Sequence, residues 1–117
     1  MIKGTATIGI DVTIGNHVMI GDDVRIGDRV TIKDHVTIED GAMIADDAII
    51  DEYTIINKGV KIGEHAHVNA FGSIDEQTFI EKEVTIGRHT VIHEGVTIGQ
   101  NSVLGNQVVI HRDTRIG

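Results

Sequence analysis

The chain contains no cysteine, no proline and no tryptophan, and one Tyr and two Phe are its only phenyl side chains. Without cysteine, disulfide stapling and thiolate metal sites are excluded. No apolar run is long enough to read as a signal peptide or a membrane span, so the expectation is a soluble, cytoplasmic chain with no membrane partner. Lys and Arg number 10 against 18 Asp and Glu, a net charge of -8. Nucleic-acid phosphates would be repelled by that balance, and no basic patch offsets it.

What the sequence does contain is a period. An aliphatic residue recurs every six positions from Ile2 to Ile116, and only Val68 and Leu104 depart from isoleucine. Four residues after each aliphatic sits a small or β-branched residue, such as Ala6, Val12, Val18, Ala42, Thr54, Gly72 or Val96. That residue and the next isoleucine are two apart, so in a strand both point to the same side. The position after the isoleucine is often glycine (Gly9, Gly15, Gly21, Gly27, Gly63, Gly87, Gly99, Gly105), which suits a bend there. Polar residues follow. Each unit reads as a short strand with an inward pair and a tight corner; a helix would need apolar spacing near 3.6. A short fixed period indicates a solenoid.

The runs "VTIGNHVMIGDDVRIGDRVTI" and "VTIGRHTVIHEGVTIGQNSVLGNQVVI" resemble the hexapeptide-repeat family, and the likeness extends over the whole chain. The resemblance implies an all-β, left-handed parallel β-helix solenoid of triangular 18-residue coils, about six in number, with no inserted loops and forming a single domain over 1–117. At roughly 4.8 Å per coil the prism is expected to stand about 30 Å tall. Its core is expected to be a column of isoleucines, each contributing roughly 1.5–3 kcal/mol on burial.

Residues eighteen apart then form outward columns. One corner collects His17, His35, Tyr53, Phe71, His89 and Gln107; another holds Asp11, Arg29 and Asp47 with alternating sign. Asp28, Asp46 and Glu64 stack as acids, read as a solvated edge. One flat face presents Met19, Thr37, Ile55, Ser73, Val91 and Val109, an apolar strip suited to self-association. The family resemblance implies trimers with prisms side by side. A second face, with Arg25, Met43, Lys61 and Phe79, is mixed and less persuasive; a third has threonines interrupted by Ile49 and His67.

The resemblance also implies the chemistry to look for. Enzymes of the family are mostly acyltransferases using acetyl- or acyl-coenzyme A, with a histidine near the subunit boundary as general base. On that reading His93 or His111 is the base, Asp75 its orienter, and His89 the next choice. Other members bind zinc between subunits; His17, His35, His65 and His67 are the candidate ligands here, although two imidazoles fall short of the three or four ligands zinc normally takes. Uninterrupted hexads leave flat faces, and a pocket needs concavity. The regularity is that of an idealised or designed sequence. The expected function is therefore a structural or scaffold solenoid, self-associating, with no cofactor. The alternative is a coenzyme A-dependent acyltransferase domain working at a trimer interface.

Overall fold

A computed structural model describes residues 2–117. Nineteen two-residue strands, from β1 (Thr7–Ile8) to β19 (Arg115–Ile116), recur at six-residue intervals among them. They form three wholly parallel sheets, because each strand pairs with the one a full coil away: Thr7 with Arg25, Thr13 with Thr31, Met19 with Thr37. We call the sheet containing Met19–Ile20 through Val109–Ile110 face A, that containing Thr7–Ile8 through Arg115–Ile116 face B, and that containing Thr13–Ile14 through Val103–Leu104 face C. The prism measures 33 × 21 × 19 Å.

The first residue of every strand points out and the second points in, as the period-two pleat requires. Ile20, Ile32, Ile50, Ile56, Ile74 and Ile92 are fully buried, and Val24, Val36, Ala48 and Val60 fill the second inward position. Thr54, Thr78 and Thr90 occupy the same inward position despite their hydroxyls. Each hydroxyl donates to a corner carbonyl, of Asn69, His93 and Gly105 respectively, at 3.0–3.2 Å, which satisfies the group and ties two corners together.

The corners differ from the sequence expectation in one respect. The left-handed bend falls three residues after the isoleucine rather than on the glycine that follows it. Non-glycine residues hold it in most corners, with φ near 60° at Asp11, His17, Arg29, Tyr53, Phe71 and His89. The glycine just after the isoleucine serves close approach instead: a Cβ on Gly63 would sit 2.5 Å from the backbone nitrogen of Lys82 on the adjoining coil. Gly41, Gly59 and Gly95 do occupy the bend itself, with φ of 69–74°.

Two of the stacked acids, Asp28 and Asp46, do more than face solvent, and Asp34 and Asp40 at the equivalent corner position act in the same way. Asp28, Asp34, Asp40 and Asp46 each turn Oδ1 toward the neighbouring coil and accept from the backbone N–H of Ile10, Asn16, Asp22 and Asp28 at 2.8–2.9 Å. Asn106 does the same for Arg88. These carboxylates are clasps for corner amides that the strand ladders leave unpaired.

Candidate functional site

Face A carries Met19, Ile55 and Val109 exposed, with Thr37, Ser73 and Val91 partly covered between them. The strip runs the length of the sheet because parallel in-register pairing puts every eighteenth residue above the last. Four of its six outward residues, Met19, Ile55, Val91 and Val109, are apolar.

The two edges of the strip are chemically distinct. One is the column of His17, His35, Tyr53, Phe71 and His89, whose five rings stack in sequence at centroid distances of 4.6–5.2 Å and within 14° of parallel. The coil repeat sets that spacing, and ring stacking offsets the cost of holding bulky residues at positive φ. His17 and His35 face one another as ring planes, 4.9 Å between centroids, and not as converging nitrogens.

The other edge is Asn57, Asp75, His93 and His111. Asn57 Nδ2 donates to the Ile74 carbonyl at 2.9 Å and to Asp75 Oδ1 at 3.2 Å. The second oxygen of Asp75 lies 3.5 Å from His93 Nδ1, ion-pair range rather than a short hydrogen bond. A carboxylate on that side favours the tautomer with the proton on Nδ1, leaving the Nε2 lone pair available as a base. The His93 and Asp75 side chains are each 40% exposed, so solvent and solutes reach both. His111 stacks on His93 with centroids 6.1 Å apart, and a shallow depression is lined by His93, His111, Arg112 and Asp113. Arg112 is drawn to Glu94 at 3.2 Å. His89 is not part of this group; it lies on the opposite edge, against Phe71.

The close pair His65 and His67 is divided between two carboxylates. His65 stands 3.7 Å from Asp47, which Arg29 already holds by two hydrogen bonds of 2.9 and 3.2 Å. Those bonds, and then the Arg29 and His65 charges, hold the Asp47 carboxyl below the ordinary aspartate value against a partial loss of solvation. His67 Nε2 meets Asp51 Oδ2 at 3.0 Å. Asp51 is mostly buried; its other oxygen makes no hydrogen bond but has the Lys33 ammonium 3.4 Å away, a charge contact without directed geometry. Among the described residues no group of three or more His, Asp or Glu is placed to hold a metal ion. The Lys33–Asp51–His67 cluster escaped sequence reading because Asp51 and His67 are sixteen apart, off the column spacing.

A family model described as GMPPB C-terminal domain matches residues 1–86, and one described as bacterial transferase hexapeptide (six repeats) matches 77–112. Among curated proteins no sequence matches. Solved structures share the fold at low identity. A hexapeptide transferase family protein from Anaplasma phagocytophilum is 22% identical with a TM-score of 0.68, over 99% of this chain and 69% of that one. UDP-N-acetylglucosamine O-acyltransferase from Moraxella catarrhalis is 16% identical, TM-score 0.63, over 98% and 62%. AntD, an N-acyltransferase from Bacillus cereus solved with dTDP and 3-hydroxybutyryl-CoA, is 19% identical, TM-score 0.59, over 94% and 74%. With residues 1–86 matched by the first family model and 77–112 by the second, the chain belongs to the hexapeptide-repeat family.

Proposed function

We propose that the chain is a structural, self-associating solenoid whose copies meet through face A. The observation that carries this reading is the exposed strip of Met19, Ile55 and Val109, at 54%, 43% and 54% exposure, on a rigid flat sheet. Such side chains leave water at little entropic cost, because the sheet is already ordered and the β-branched members have few rotamers to lose. Sedimentation velocity over a hundredfold range of concentration tests it: a species several times 12.7 kDa is expected to persist on dilution. A single 12.7 kDa species throughout would remove the reading.

A second reading is acyl transfer from an acyl-coenzyme A at the boundary between copies, and the Asn57–Asp75–His93 chain favours it. His93 Nε2 would take the proton from an acceptor hydroxyl or amine as that atom attacks the thioester carbonyl. Asp75 would hold the Nδ1 proton and balance the imidazolium. Collapse of the tetrahedral adduct would form the ester or amide and release the thiolate, which recovers a proton from His93. The fold relationship to AntD supports the choice of coenzyme A thioester. Millimolar acetyl-coenzyme A is expected to raise the melting temperature on this reading, since binding only the native state stabilises it. No shift in the wild type would count against it.

A further inference from the structure

An apolar depression lies on face B, around Met43. Arg25, Met43, Lys61 and Phe79 stand on successive coils and line a depression of about 320 Å³, with Ile26, Ile44 and Ile62 beneath. One rim is low because Gly27, Ala45 and Gly63 form it, with no side chain larger than a methyl. Phe79 and Met43 are exposed apolar side chains, at 45% and 39%.

Charge separates this depression from the strip on face A. In a chain of net charge -8, Arg25 and Lys61 are two cations on either side of Met43. Neither has an ion-pair partner among the described residues, whereas Arg29, Lys33 and Arg112 are each paired with a carboxylate. The positions are ordered along the prism axis as cation, apolar, cation, aromatic, spanning about 14 Å at roughly 4.8 Å per coil. A lysine stem lies readily along an apolar surface while its ammonium stays wet.

We infer that this depression is a binding site for an amphipathic anion, namely a free medium-length alkyl carboxylate. Its head pairs with the Arg25 guanidinium, whose planar fork matches a carboxylate. Its chain crosses Met43 and the Lys61 stem and ends against Phe79, with the Lys61 ammonium adding a second attraction to the head. A neutral chain lacks the head's partners, and a short anion lacks the contact with Met43 and Phe79. The site is on a different face from the strip through which copies are proposed to meet, so it stands or falls independently of assembly.

Amide chemical shifts of the full 15N-labelled chain, titrated with dodecanoate below its micellar range, test the site. Saturable shifts are expected at Met43, Lys61, Gly63 and Phe79, with no matching saturation from acetate or from dodecyl maltoside. Arg25→Gln and Lys61→Gln, both at exposed positions, are each expected to weaken dodecanoate binding by about fivefold. Phe79→Ser is expected to weaken it while leaving acetate behaviour unchanged. Absence of saturable shifts, equal binding of dodecyl maltoside, or indifference to both charge substitutions would overturn the inference. So would face B shifts that follow protein concentration without ligand, since the occupant would then be a second copy.

Discussion

At Asp47 one carboxylate accepts two side-chain N–H groups of Arg29 and stands beside His65, and its proton affinity falls accordingly. A carboxyl depressed in the folded state adds stability above its unfolded pKa, and that contribution is lost as pH falls through the lower folded value. Arg29→Gln is therefore expected to raise the Asp47 midpoint in a carbon-detected NMR titration, and to remove part of the acid sensitivity of folding below the ordinary aspartate range. An unchanged midpoint would mean that the pair seen on this corner has no energetic weight. Buried positions are more demanding. Ile56 is fully enclosed, and Ile56→Ala is expected to cost about 3–4 kcal/mol in urea unfolding, from lost transfer energy and the cavity left behind. Thr78→Val at equal volume is expected to cost about 1 kcal/mol, because the His93 carbonyl loses its donor.

At the scale of a coil, strands and corners obey different rules, and they were unequally legible in sequence. Strand positions follow from the spacing of Ile8, Ile14, Ile20 and their successors, since an inward column repeating every six residues allows no other register. The corner columns were legible, but not which residue of each corner takes the left-handed conformation. Residues as different as Asp11, Arg29, Tyr53 and Phe71 adopt it, so no residue type marks it, while the glycines that do stand out solve a packing problem one coil away. The clasp role of Asp46 was likewise hidden, because it depends on which backbone amide the ladder leaves unpaired. Asp46→Ala is expected to destabilise by about 1 kcal/mol and to speed hydrogen exchange at the Asp28 amide, whereas a merely solvating acid would leave that amide unaffected. The ring column was visible as a column, but its stacking depends on side-chain orientation, which column membership does not fix. Phe71→Ala splits it between Tyr53 and His89 and is expected to cost about 0.5–1.5 kcal/mol.

At the scale of the molecule, three faces of one prism carry three different surfaces on the same backbone. The apolar strip of face A and the His93–Asp75 edge beside it could be read from column membership alone, since both consist of residues eighteen apart. The depression on face B could not: the same arithmetic placed Arg25, Met43, Lys61 and Phe79 together and found them mixed. What leaves the group in a depression is the neighbouring column of Gly27, Ala45 and Gly63, which has no side chain larger than a methyl. The central claim, that face A joins copies, is tested most directly by light scattering of wild type beside Ile55→Lys/Val109→Lys and beside a control with Thr13→Lys/Thr85→Lys on face C. The wild type and the face C variant are expected to share a mass several times 12.7 kDa, and the face A variant to fall to 12.7 kDa with an unchanged β-sheet spectrum. A wild type already at 12.7 kDa, or a face A variant that keeps the larger mass, would contradict it.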